Sequence, residues 1–302
     1  MWHHVVWDMY KVTLFFLIFF LSQIHIQAQP DDYFTIPNDQ GFDRLTLQLF
    51  SNNGDCSIAS SDHPHILGVH NFNNEKNFEP RIESVIKNRN NQVDLWLKSS
   101  NAVGFLNGSF FTETSSDKFK WGLTLSQSKP IDLSLNYTSG DSRVDLTDLS
   151  IEKLKIHSGN AKVNIGYFSG TPNRVVMDTF KVKVDMGSIN FYRPEMSLSN
   201  YIVADIGFGT MHMNFGSRLL NSSHIRASVG AGTLEVILPD DMIPVRINLR
   251  NSSLCKVKLL DSFIEIDKNV FVNGCYSSTE SNVLVFDLDV GLGNIIFSSV
   301  VK

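Results

Sequence analysis

Between Leu133 and Leu238 apolar and polar residues alternate in short runs, each broken by a glycine turn and followed by a second alternating run. Five copies read in register: LSLNYTSGDSRVDL, LKIHSGNAKVNI, FKVKVDMGSINF, IVADIGFGTMHMNF and IRASVGAGTLEVIL. Their turn glycines are Gly140, Gly159, Gly187, Gly209 and Gly232, with successive gaps of 19, 28, 22 and 23 residues. Alternation of period two is the mark of a strand with one face buried. A strand-turn-strand unit recurring at this interval cannot bury its apolar face alone, and stacked copies form a β-solenoid. In the first copy Leu133 and Leu135 precede the turn and Val144 and Leu146 follow it; in the last, Ile225 and Ala227 precede Leu234 and Val236. These are the expected core, and the turn glycines are expected at positive φ, which a Cβ would resist.

The pattern reaches beyond the five copies. DRLTLQLF over 43–50, followed by Ser51-Asn52-Asn53-Gly54, is a degenerate unit, and QVDLWLKS and KWGLTLSQ resume the alternation after a polar, Asn-rich stretch at 62–92 that reads as a long loop. After Leu238, strands are expected at PVRINLRN, CKVKLL, SFIEID and NVLVFDLDV, and GLGNIIFSS gives a final turn-and-strand unit that should close the stack. No stretch sustains helical periodicity over three turns. The expected fold class is all-β: a single-domain, parallel β-helix-like solenoid with an irregular N-terminal loop region. Residues 29–125 form an N-terminal β region continuous with the repeat solenoid of 126–302, and residues 1–28 are a signal peptide. That last expectation rests on Lys11, the apolar run VTLFFLIFFL and Ile26-Gln27-Ala28, with cleavage after Ala28 and Met9 a possible start. The apolar run is too short to span a bilayer, which takes about 20 residues.

The block WGLTLSQSKPIDLSLNYTSGDSRVDLTDLSIEKLKIHSGNAKVNI carries a W-x-L strand at Trp121, Pro130 before alternating leucines, and the strand Val144-Asp145-Leu146. With Met213-Asn214-Phe215-Gly216 and the run from Val229 to Leu238-Pro239, it resembles the toastrack domain of LiaF-like cell-wall-active-antibiotic response proteins and of adhesin-type proteins common in Bacteroidetes. The resemblance covers residues 120–300, weakly back to Asp43, and departs from the family where TSGDS and HSGNA carry one glycine instead of two. It implies a β-solenoid with a role in envelope sensing, scaffolding or surface association, and no catalytic residue to carry over.

Composition narrows the function classes. Net charge is −5 with 19% charged residues, and Lys and Arg occur singly along the chain, so no nucleic-acid footprint is expected. Of three cysteines, Cys255 and Cys275 are 20 residues apart, about one repeat; on neighbouring coils they could form a disulfide, or stay as two small buried hydrophobes. Cys56 has no evident mate.

The pairs Gly207-Phe208-Gly209, Gly230-Ala231-Gly232 and Gly291-Leu292-Gly293 precede strands and not helices, so they read as coil corners, not phosphate loops, and no cofactor is implied. His63, His65 and His70 fit surface histidines better than metal ligands, and His157, His212 and His224 fall at different phases of their repeats. No G-x-S-x-G elbow occurs. Asp145, Asp148, Asp178 and Asp185 are candidate outward acids for a glycosidase pair, with scattered solvated aspartates as the plainer reading. Tyr137, Tyr167, Phe168, Tyr192 and Tyr201 either stack on glycans or a partner chain or cap the core. The expected function is an exported, non-enzymatic, adhesin-like or scaffold module, periplasmic or on the cell surface, whose partner is an envelope protein or glycan, with no membrane span after signal cleavage. The alternatives are a β-helix carbohydrate-active enzyme and an envelope-stress sensor-regulator.

Overall fold

In this computed structural model each repeat becomes one coil, formed by two strands that meet at a corner and face each other across an apolar interior. The structure describes residues 32–52, 55–72, 80–97, 120–239, 243–251, 254–279 and 282–299. The chain divides into two units, Met1–Asp32 and Tyr33–Lys302, and all described residues after Asp32 belong to the second. The expected signal peptide lies outside the described residues.

The first strand among the described residues is β1 (Asp32–Pro37); one coil follows as β2 (Arg44–Ser51) and β3 (Asp55–Ser61). The stretch expected to be a loop holds two strands, β4 (His65–Asn71) and β5 (Arg81–Lys87). β4 is hidden by its polar ends, since its middle is continuously buried; β5 is a charged, exposed edge strand. A second coil follows as β6 (Asn90–Leu97) and β7 (Lys120–Ser126). The next two coils run unbroken through their corners as the long strands β8 (Ile131–Asp145) and β9 (Ile151–Gly166). Three split coils come next: β10 (Thr179–Val184) with β11 (Ser188–Tyr192), β12 (Tyr201–Ile206) with β13 (Thr210–Asn214), and β14 (Ser223–Val229) with β15 (Thr233–Leu238). A 3₁₀ turn at Pro194–Ser197 is the one helical element among the described residues. The chain ends with β16 (Val245–Asn251), β17 (Lys256–Lys258), the hairpin β18 (Ile264–Asp267) and β19 (Val270–Val272), and then β20 (Leu284–Val290) and β21 (Asn294–Ser299).

The coils do not stack in chain order. Parallel pairing runs β6-β2-β8-β9-β10-β12-β14-β20-β16 along one wall and β7-β3-β8-β9-β11-β13-β15-β21-β17 along the other. The first coil in sequence is thus second in the stack, and the last is intercalated between β14/β15 and β16/β17. The expectation that GLGNIIFSS closes the stack is overturned: β21 is paired on both sides, with β15 and with β17. Antiparallel strands flank the ends instead, β5 on β6 and β4 on β7 at one end, β19 on β16 and β18 on β19 at the other. At the first end the outermost strand is β5, whose exposed charged residues disfavour pairing with another sheet.

Inward side chains line up coil on coil. On the first wall Val93, Leu47, Leu133, Leu154, Phe180, Ile202, Ile225, Phe286 and Ile247 share one register column, all buried. On the second, Leu123, Ile58, Val144, Ile165, Phe191, Met213, Val236 and Phe297 do the same. The walls meet through edge-to-face ring pairs, Phe180 with Phe191 at 4.8 Å and Phe286 with Phe297 at 5.2 Å, a favoured aromatic geometry.

The corner corrects two expectations. Register places Gly140, Ala161, Gly187, Gly209, Gly232 and Gly293 in one column, so Gly159 sits two residues early, in the column of Asp185, Gly207, Gly230 and Gly291. Of the five turn glycines only Gly140 has positive φ, at 93°. The others answer to crowding: a Cβ on Gly187, Gly209 or Gly232, and likewise on Gly293, would collide with the carbonyl oxygen of the column residue one coil back, and one on Gly159 would press on Thr138 O. Backbone hydrogen bonds carry the ladder straight through the corner, as from Phe208 N to Asp185 O (2.7 Å), Ala231 N to Gly207 O (2.8 Å) and Leu292 N to Gly230 O (2.7 Å). The residue before Gly187, Gly209, Gly232 and Gly293 is left exposed, so Met186, Phe208, Ala231 and Leu292 form a ridge along the corner.

Candidate functional site

Outward side chains on the first wall obey the same register as the core. β9 contributes Lys153, Lys155 and His157, and β10 contributes Thr179, Lys181 and Lys183, with Lys155 beside Lys181 and His157 beside Lys183. Neighbouring strands are about 4.8 Å apart and alternate residues about 6.6 Å apart along a strand, so four exposed ammonium stems share one small area. Lys153 has Asp132 at 3.8 Å and Lys183 has Asp185 at 3.2 Å. Among the described residues Lys155 and Lys181 have no acid within ion-pair distance. Farther along, Val203 lies beside Lys181, Arg226 beside Val203, and Asp287 beside Arg226.

Four shallow depressions run across these strands. The first is lined by Thr46, Asp132 and Lys155 (270 Å³), the second by Lys155, Lys181 and Val203 (390 Å³), the third by Val203, Tyr201 and Arg226 (270 Å³) and the fourth by Arg226, Arg250 and Lys268 (540 Å³). Each shares a lining residue with the next, Lys155, Val203 and Arg226 in turn, so the four lie in one row along the stacking direction and give this wall a grooved face. From β2 to β16 the groove crosses eight strands, about 33 Å at the inter-strand spacing.

Carboxylates of this wall are engaged by histidines. His157 Nε2 lies 2.7 Å from Asp185 Oδ2, and His224 Nε2 lies 2.6 Å from Asp287 Oδ2, while Asp287 Oδ1 accepts from Asn248 Nδ2 at 2.7 Å. The hydrogen bond from His157 holds Asp185 below the usual carboxylate range, with Lys183 adding to it. Partial burial pushes Asp287 up, but Asn248, His224 and the Arg226 charge outweigh it and keep the group low. His212 makes a third such pair on the second wall, 2.8 Å from Glu235. The three histidines form no column, but each meets an acid of a neighbouring coil.

The other residues singled out by sequence are dispersed. Asp145 accepts the Thr147 N–H (3.0 Å), Asp148 has φ 62° and lies 3.8 Å from Arg174, and Asp178 lies just before β10, its N–H donating to Glu152 O. His63 is exposed, and His70 is buried, 3.3 Å from Thr124 Oγ1 and stacked on Phe72. Among the described residues no three His, Cys, Asp or Glu side chains converge on one point. Tyr137 and Tyr167 are core rings, and burial drives both phenols well above their ordinary range. Phe168 is half-buried against Tyr192 and under Arg143. Tyr201 is the ring that opens to the groove, 56% exposed. Cys56 is buried, its thiol pushed up to about 12 by desolvation.

Sequence inspection missed the lysine array because its members are two and then 26 residues apart. The signal was present as K-x-K on the outward phase of two successive repeats, EKLKIH and FKVKVD. Aligning those repeats by Gly159 and Gly187, however, sets the pairing two residues off.

Comparison with known proteins agrees with this architecture. The family described as the N-terminal domain of toast_rack, DUF2154, matches residues 25–188, more than half of the chain. The chain belongs to the toast_rack family. The family match starts earlier than the motifs quoted above and stops at the third of their turn glycines plus one residue, while the toast_rack coils continue to β21. No curated protein matches the chain. Among solved structures, a "putative cell adhesion protein" from Clostridium sporogenes is similar at 17% identity and TM-score 0.41, covering 88% of this chain and 96% of that one. A "putative adhesin" from Bacteroides fragilis is similar at 12% identity and TM-score 0.37, covering 88% and 94%. No helix among the described residues is long and apolar enough to cross a membrane.

Proposed function

We propose that this toast_rack chain is an exported, non-enzymatic interaction module of the cell envelope, adhesin-like in its action, whose binding surface is the grooved outer wall. Residues 1–28 serve as its leader, and 29–125 and 126–302 form one folded body in the periplasm or at the cell surface. The observation that carries the reading is the row of depressions across eight strands, which suits an extended ligand held by many weak contacts. Of the four acids considered for glycoside cleavage, Asp145 is engaged in a turn, Asp148 in an ion pair and Asp185 in a histidine pair, while Asp178 is exposed ahead of β10. Cleavage needs two carboxyl groups facing one bond at about 5–10 Å.

The test has two arms. In fractionated cells the full chain is expected in the envelope or medium, shortened after Ala28; retention of an uncleaved chain in the cytoplasm rejects the export part. Incubated with envelope polysaccharides, the protein is expected to release no reducing ends. Turnover abolished by Asp145→Asn or Asp148→Asn rejects the non-enzymatic part.

A further inference from the structure

The geometry points to a ligand class for the groove, an inference that rests on the interaction-module reading: a linear acidic glycan lies across the strands, its anionic groups met by Lys155, Lys181 and Arg226 and one sugar ring seated on Tyr201. Four features converge on it. Lys155 and Lys181 are direct cross-strand neighbours, and like charges opposite one another destabilise a sheet, so the pair has no structural benefit to explain it. The chain as a whole is negative, at −5, yet cations cluster along this groove. They recur along the stacking direction, at Lys155, at Lys181 one coil on and at Arg226 two coils further, with an apolar step at Val203 between. A chain crossing the strands therefore meets positive charge, then a less polar surface, then positive charge again.

Tyr201 supplies the second kind of contact. Its ring is tilted against His224 at 6.0 Å and lies in the same depression as Arg226. An exposed ring with an apolar face and a polar rim suits the apolar face of a sugar. Asp205 and Asp287 are interleaved with the cations. They suit a ligand rich in hydroxyl donors with intermittent charge, and would repel a phosphodiester chain charged at every nucleotide.

The experiment measures binding of the full chain to fluorescent polygalacturonate, dextran sulfate, neutral dextran and a single-stranded oligodeoxynucleotide over a salt series. Polygalacturonate or dextran sulfate is expected to bind with affinity falling as salt rises, and the stronger of the two identifies carboxylate or sulfate as the anion. Neutral dextran is expected to stay unbound. Lys155→Glu with Lys181→Glu is expected to weaken binding tenfold or more; Lys155→Gln with Arg226→Gln makes the same test by a milder change. Tyr201→Ala is expected to weaken binding roughly three- to tenfold while leaving the salt slope unchanged, which mere ion exchange would not show. Failure of both acidic glycans to bind, binding unaltered by either charge variant, or an oligonucleotide bound at least as tightly overturns the inference. Such a failure with the export and hydrolysis results intact rejects the glycan and leaves the interaction-module reading standing.

Discussion

Gly209 and Gly274 separate the two reasons a chain keeps glycine. A Cβ on Gly209 would run into the Gly187 carbonyl and the Val184 side chain, whereas one on Gly274 would meet nothing within 4 Å. Gly209→Ala is therefore expected to cost about 1–3 kcal/mol, the range for overpacking, and Gly274→Ala to be near neutral; urea unfolding of the two variants measures the difference. The buried amide of Asn173 is a different kind of residue-scale device. Its Oδ1 accepts from Ile151 N (2.9 Å) and its Nδ2 donates to Ile151 O (2.7 Å), standing in for a strand neighbour where the chain leaves the ladder. Asn273 repeats the device with Val245 N (3.0 Å) and Ile243 O (2.7 Å). Asn173→Ala strands two backbone groups, and denaturant unfolding is expected to show a loss of about 1–3 kcal/mol. Turn glycines were legible in the sequence because they recur; Asn173 and Asn273 were not, because a single asparagine beside Pro172 or Gly274 reads as loop. The spacing of Cys255 and Cys275 was misread as one coil, since β17 and the β18–β19 hairpin fill it. A disulfide between these two half-buried residues stays a proposal, tested by alkylating the purified protein before and after reduction.

Paired elements set the response to pH. Asp185 links the end of β10 to β9 through His157, and Asp287 links β20 to β14 through His224 and to β16 through Asn248. Both carboxyls are held below their ordinary value, about 3.9 in an unfolded chain. Their contribution is thus complete above about pH 4 and is lost as pH falls through the lower folded values. Glu195 in the 3₁₀ turn acts in the opposite sense: burial raises it, against the pull of Gly216 and Arg193, so its charging weakens the fold as pH rises through the folded value. Melting temperature is expected to fall on acidification below about pH 4, with a smaller fall in Asp185→Asn; an identical fall in the variant rejects the assignment. Alternation located most of these strands, yet their partners lie 28 and 63 residues away, beyond what a local pattern encodes.

At the scale of the whole molecule, the stacking order decides how the fold fails. In a solenoid whose coils stack in chain order, each coil contacts its sequence neighbours, and trimming the last one leaves the others paired. Here β20 and β21 arrive last and fill the place between β14/β15 and β16/β17, carrying Phe286 and Phe297 into the core. The pattern showed a final coil; its place in the stack was hidden, because period-two alternation fixes which face of a strand is buried and not which strand lies beside it. Ending the chain after Thr279 should then remove an internal layer: β16 and β17 lose their only parallel partners among the described residues, and β14 and β15 gain open edges. In hydrogen exchange the truncated protein is expected to lose protection in Val245–Asn251 and Lys256–Lys258 as fully as in a denatured control, with protection of β8 and β9 retained. Phe286→Ala offers the milder version, leaving every strand in place while opening a cavity expected to cost about 3–5 kcal/mol. Retained protection of β16 in the truncated chain would show that the coil order has rearranged to follow the sequence.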